Sequence, residues 1–253
     1  MASDSRTHAG VDHVSTYQKL FDFSNPGERV VVLTTSGNLS ITQGVIAWLK
    51  KDLHTMDQVN IHNLPTMYDV ARYVGSKQRE MQKLDRASLD SDRIDYHASF
   101  LVGGQIKGEE PELYLVYTQG NCIKATPETP FLQTGETKYG KPILDRVLRH
   151  TTPIDKAARC ALLSIDSTIK SNISVGPPIQ LIMYCVDTFE IDHKMRLNQR
   201  DPYLMEIRQY WEGALQKAFE EMPEIDWDHD RKLAISQESI NSCKLYSDDF
   251  LED

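Results

Sequence analysis

Residues 133–142 read Gln133-Thr134-Gly135-Glu136-Thr137-Lys138-Tyr139-Gly140-Lys141-Pro142, and their reading decides between two folds. Taken as Gly-x-x-x-x-Gly-Lys, the stretch Gly135–Lys141 would open a phosphate-binding loop in an α/β protein. Such a loop continues with Ser or Thr, whose hydroxyl binds magnesium. Pro142 stands there instead; it has no hydroxyl and removes a backbone N–H donor. No strand ending in Asp stands out as a magnesium partner. The stretch therefore reads as a loop at the start of a helix, and nucleotide binding is the weaker reading.

Working outward, the elements do not alternate as a parallel sheet requires. Residues 14–23 mix β-branched and aromatic residues before Pro26-Gly27 and predict a strand and turn. Residues 30–35 (VVVLTT) are apolar without alternation, as in a strand covered on both faces. Ile41, Val45, Trp48, Leu49 and Leu53 recur at helical spacing behind Ser40, a candidate N-cap. A second helix is expected over about residues 66–86. Strands follow at 97–104, 112–118 and 121–125, then helices near Gly140 and from Thr152-Pro153. Strands return at 179–187 and 189–196, and an amphipathic helix covers 202–220. Helices come in pairs between groups of strands. That predicts an α+β fold with two antiparallel sheets between helical layers.

The 253 residues carry 28 basic and 37 acidic side chains, a formal charge of −9, which disfavours nucleic acid as the main partner. Residues 221–253 hold ten acidic and three basic side chains, so the acidity belongs to the C-terminal stretch. One domain over residues 1–221 and an acidic extension over 222–253 are expected. No apolar run approaches the ~20 residues of a membrane-spanning helix, and no signal peptide is recognisable. Cys122, Cys160, Cys185 and Cys243 lack CxxC spacing, which disfavours zinc and a disulfide framework and fits a reducing cytoplasm. His8, Asp12 and His13 sit in a Gly-containing loop and read as solvated side chains, not metal ligands. No motif asks for a cofactor.

Single charged residues are more informative. Lys19 lies among Tyr17, Leu20, Phe21 and Phe23, either facing solvent or facing a cavity. Asp166 sits mid-helix between Ile165 and Ser167. Asp4 and Arg6 stand near a strand end. Together with longer segments they resemble the proteasome-type N-terminal-nucleophile hydrolases. The stretch Ala2–Gly10 is similar to that family's "ADSRATAG". Thr35-Ser36-Gly37-Asn38 resembles the turn whose glycine N–H binds an oxyanion, and Gln133–Gly140 resembles the "GSG…YG" segment. Within that superfamily the likeness is closest to the Anbu branch, at residues 3–12, Ser36–Leu39, 101–106, 135–144 and 174–178. It spans residues 2 to about 220.

The resemblance implies a four-layer αββα sandwich and amide hydrolysis by an N-terminal threonine. The threonine hydroxyl attacks the carbonyl and its own α-amine is the base. Lys19 would supply positive charge, Asp4 would orient Lys19, and the Gly37 N–H would receive the oxyanion. Asp166, Thr134 and Ser171 or Ser174 would complete the network. A peptide or amide substrate and a homo-oligomer, ring or open helical assembly, are implied.

The family's nucleophile stands roughly 16 residues before the position of Asp4, at the head of a strand of about ten residues. Here Met1 stands three residues before Asp4. The chain is therefore expected to lack that strand and its nucleophile, leaving an unpaired edge and exposed apolar surface. Two readings compete: a start codon assigned downstream of the true one, and a truncated, non-catalytic subunit. Retention of Asp4, Lys19, Gly37 and Asp166 favours the first.

Overall fold

The structure is a computed structural model, and it describes residues 1–8, 14–55, 57–91, 95–191 and 193–227. By its internal contacts the chain divides into two compact units, Met1–Arg208 and Gln209–Asp253. Most of the expected acidic extension, residues 228–253, lies outside the described residues.

Ten strands and five helices form among the described residues: β1 (Ala2–Ser3), β2 (Arg6–His8), β3 (Val14–Thr16), β4 (Leu20–Asp22), β5 (Arg29–Gly37), α1 (Leu39–Leu53), α2 (Met67–Ser91), β6 (Ala98–Ile106), β7 (Glu112–Val116), β8 (Cys122–Lys124), α3 (Lys141–Val147), α4 (Ile154–Ser171), β9 (Ile179–Met183), β10 (His193–Leu197) and α5 (Pro202–Glu220). A five-stranded sheet runs in the order β4-β5-β6-β7-β8, and a three-stranded one in the order β1-β9-β10. Every pairing is antiparallel. The α+β class with two main antiparallel sheets is thus established.

The unalternating run of β5 has a direct cause. Val31 and Leu33 enter the largest core, with Phe100 and Val102 of β6 and Val45, Leu49, Val70 and Val74 of α1 and α2. Val30 and Val32 point the other way, into a smaller cluster with Leu20 and Ile182 of β9. Burying both faces of one strand requires apolar residues at both parities. A third cluster joins Leu162 of α4, Ile179 and Leu181 of β9, and Leu204 of α5.

Two expected details differ. The strand expected over 14–23 is split, with Tyr17-Gln18-Lys19 between β3 and β4, because β3 pairs β2 while β4 pairs β5. The N-cap of α1 is Asn38, not Ser40. Asn38 Oδ1 accepts from the Ile41 N–H at 3.1 Å, and the Ser40 hydroxyl donates to that oxygen at 2.8 Å.

Helices α1 and α2 are locked by a buried ion pair. Lys77 Nζ lies 2.8 Å from Asp52, which also accepts from the Tyr73 hydroxyl. Burial raises the Asp52 carboxyl, but the Lys77 and Tyr73 hydrogen bonds outweigh it and hold the group below its ordinary value. Gly75 of α2 touches the turn between β7 and β8 backbone to backbone: a Cβ there would lie 2.1 Å from the Gly120 carbonyl oxygen. Gly→Ala inside a helix ordinarily stabilises by about 1 kcal/mol. Here the sign reverses, and Gly75→Ala is expected to cost about 1–3 kcal/mol through overpacking. Thermal unfolding checks it, since an unchanged or raised Tm would contradict the close approach.

Candidate active-site cleft

A cleft of about 1310 Å³ opens between the elements of the first unit. This exceeds the roughly 300–1,000 Å³ of small-molecule sites. Val30, Val32, Thr34 and Ser36, the residues of β5 that face away from the large core, line it. The strand thus passes from apolar to hydroxyl-bearing side chains along one face. Leu101 and Gly103 of β6 continue that wall. Other walls come from β1 and β9 (Ser3, Leu181, Ile182) and from α4 (Ala157, Ala161, Ser164, Thr168). β1 is an edge strand of its sheet.

At the polar end lies Lys19, in the irregular segment that joins β3 to β4. Its ammonium donates to Asp4 Oδ1 at 2.8 Å and to the Arg6 carbonyl at 2.5 Å. The side chains of Lys19 and Asp4 are only 18% and 13% exposed, so each needs the other's charge. The second Asp4 oxygen accepts from two backbone donors, Arg6 N–H at 3.1 Å and Gly176 N–H at 3.0 Å. The Gly176 carbonyl in turn accepts from the Ser5 and Arg6 N–H groups at 3.1 and 3.2 Å. Lys19 therefore faces the cavity, the alternative left open by its apolar neighbours.

Gly37 ends β5 with φ +92, and a Cβ there would lie 2.2 Å from the His97 carbonyl oxygen. Only glycine meets both demands without strain. The Ser36 hydroxyl bonds the Thr134 hydroxyl at 2.7 Å and ties β5 to the loop before α3. Asn172 donates to Glu136 at 3.1 Å and accepts from the Ser174 N–H at 2.8 Å, fixing the turn after α4.

Of the residues singled out above, Asp4, Lys19, Gly37, Thr134 and Ser174 all line the cleft. Asp166 and Ser171 are not among its lining residues. Asp166 is 3% exposed and gripped by Arg208 of α5, whose Nε donates to both carboxylate oxygens at 3.2 Å while Nη2 reaches Oδ1. Ser171 is the exposed last residue of α4. Ser36, Asn172 and the Gly176 N–H were not anticipated. Asn172-Ile173-Ser174 carries a signal that could have shown them, because Asn bonding two residues on marks a helix-terminating turn. Lys141 of the Gly-rich stretch pairs with Asp145 one turn on, at 2.6 and 2.7 Å. Among the described residues no group of three His, Cys, Asp or Glu side chains is placed to hold a metal, and Asp12 and His13 lie outside them. Cys122, Cys160 and Cys185 are free thiols.

This arrangement of sheets and helices is that of a proteasome homologue. Three solved structures resemble the chain closely. Anbu (ancestral beta-subunit) from Yersinia bercovieri is 44% identical with a TM-score of 0.83, over 89% of this chain and 93% of that one. Anbu from Pseudomonas aeruginosa, solved as a helical assembly of the Anbu complex, is 46% identical with a TM-score of 0.85 over the same shares. Anbu from Hyphomicrobium sp. strain MC1 is 43% identical with a TM-score of 0.82, over 89% and 94%. Neither a protein-family model nor a curated protein matches. The chain belongs to the Anbu family.

The bonding around Asp4 predicts unequal costs for its two partners. Removing one member of a buried ion pair costs roughly 3–5 kcal/mol. Asp4→Ala strands the Lys19 ammonium and two backbone donors, and with both side chains slightly exposed about 3 kcal/mol is expected. Lys19→Met leaves Asp4 its two N–H donors and is expected to cost clearly less. Chemical denaturation of both variants checks this, and equal losses would contradict it.

Proposed function

We propose that this chain is a proteasome-like threonine-type hydrolase subunit that cleaves amide bonds of peptide substrates in the cleft. The observation that carries the reading is the Lys19 ammonium, held by Asp4 and the Arg6 carbonyl and lining the same cleft as Gly37. The chain would form a four-layer αββα sandwich, a reading supported by its three separate apolar cores. It would act in the cytoplasm within a homo-oligomer, ring or open helical assembly. The relative from Pseudomonas aeruginosa, solved as a helical assembly, supports that association. No helix among the described residues is long and apolar enough to cross a membrane.

In the proposed reaction a threonine hydroxyl adds to the substrate carbonyl carbon and its proton passes to the threonine's own α-amine. Lys19 holds positive charge beside the hydroxyl and favours its deprotonated form. The tetrahedral oxyanion is received by the Gly37 N–H. The C–N bond then breaks, the leaving amine takes the proton, and water hydrolyses the remaining ester. Thr134 and Ser174 line the same cleft, and Asp166 acts from behind it by fixing α4 to α5 through Arg208.

The threonine nucleophile of this reaction would act in the cleft beside Lys19 and Gly37. A competing reading, a non-catalytic subunit of the same fold, draws on Met1. The Met1 amine donates to the Ile182 carbonyl at 2.7 Å, and its sulfur lies against Gly103 inside the cleft. Intact-mass measurement of the native protein from its own cells separates the two. The catalytic reading predicts an N-terminal threonine on the native protein, with Lys19→Ala lowering peptide hydrolysis at least ~100-fold. A native N-terminus at Met1 or Ala2 would overturn it and favour the non-catalytic subunit.

A further inference from the structure

We propose that the Arg6 side chain is a positioning group that holds the Lys19 ammonium in place. The inference rests on the reading above, in which Lys19 stands beside the nucleophile. Arg6 opens β2 and meets Lys19 through its backbone, since its carbonyl accepts from the ammonium at 2.5 Å. Its side chain goes elsewhere. Nη1 donates to the Ile173 carbonyl, just past the end of α4, at 3.2 Å. The guanidinium also lies against Gly176, where a Cβ would stand 2.4 Å from Nε and Cζ. Gly176 is not one of the glycines with positive φ, so its missing side chain makes room for Arg6 and answers no demand of the backbone. None of the ion pairs among the described residues includes Arg6. Its guanidinium is spent on a carbonyl and a glycine peptide.

The backbone bonds at this point hold the Arg6 peptide loosely. Its N–H is shared between Asp4 Oδ2 at 3.1 Å and the Gly176 carbonyl at 3.2 Å, both at the long end of the range. The guanidinium adds a third tie across the same gap, from β2 to the turn after α4. Its planar fork is pre-organised and loses little freedom for each bond it forms. With that tie in place the Arg6 carbonyl stays aimed at the ammonium. Lys19 then keeps two acceptors, Asp4 Oδ1 and the Arg6 carbonyl. Without the guanidinium the carbonyl is free to swing away. Hydrogen bonds from an ammonium are roughly twice as strong as neutral ones, so losing one lets Lys19 shift toward Asp4.

Two variants of the native protein test this. Arg6→Ala removes the side chain. Gly176→Ala pushes the guanidinium aside but leaves it present, because the atoms its Cβ would meet are the far end of a flexible side chain. Each is compared with wild type by reductive methylation with formaldehyde, read lysine by lysine by mass spectrometry, and by hydrolysis of a fluorogenic peptide amide. In both variants Lys19 is expected to methylate at least ~5-fold faster, while the exposed Lys107 and Lys156 keep their rates. kcat is expected to fall at least ~10-fold with KM unchanged. Methylguanidine should restore kcat in Arg6→Ala and not in Gly176→Ala, and Arg6→Lys should not restore it, since a point charge cannot lie flat on the Gly176 peptide. If Lys19 keeps its rate in both variants, the inference is overturned whatever hydrolysis shows. Faster methylation at every lysine with a lowered Tm, or a change in KM with kcat intact, would also overturn it. If Lys19 alone methylates faster but wild type hydrolyses nothing, the hold on Lys19 stands and the catalytic reading fails.

Discussion

The carboxylate of Asp4 is the point on which the site depends. It sits one residue past β1 and collects three donors: the Arg6 N–H two residues on, the Lys19 ammonium and the distant Gly176 N–H. Enclosing an ammonium is costly unless opposite charge and acceptors surround it. The Asp4 carboxylate and the Arg6 carbonyl do this. The same three bonds draw the segment before β4 and the turn after α4 together at the start of the chain. Charge placement and local architecture are therefore one constraint.

Around that point, β5 joins structure to site. Val31 and Leu33 anchor it in the core under α1 and α2, while Val30, Val32, Thr34 and Ser36 line the cleft. The strand thus presents hydroxyls and the Gly37 turn along one wall of the cleft. Glycine is required at 37 by its positive φ and by the nearness of the His97 carbonyl. Helix α4 meets the cleft with small side chains, Ala157, Ala158, Ala161, Ser164 and Thr168, beside Ile154 and Ile165.

Much of this was legible in the sequence. Long apolar runs at both parities and helices in pairs pointed to the α+β class, and proline at position 142 removed the phosphate-loop reading. Boundaries set by partners outside the local stretch were not legible. The split at Tyr17–Lys19 arises because β3 and β4 pair with different strands. Asn38 displaces Ser40 as the cap because Asn38 stands where the helix N–H groups point. Asp166 shows the limit most clearly. Its position in a helix of mixed polarity does not say which face looks into the cleft, and its partner, Arg208, lies 42 residues away in sequence. Conversely, Asp4, Lys19 and Gly37 were legible only through longer segments, since each alone reads as an ordinary surface charge or turn.

The central claim is that this cleft performs amide hydrolysis with Lys19 beside the nucleophile. Treatment of the assembled native protein with an electrophilic peptide, followed by mass mapping, tests it most directly. The account predicts one adduct per chain, on an N-terminal threonine, and loss of that adduct in Lys19→Ala. A fully assembled protein that takes up no label, or labels equally without Lys19, would contradict it.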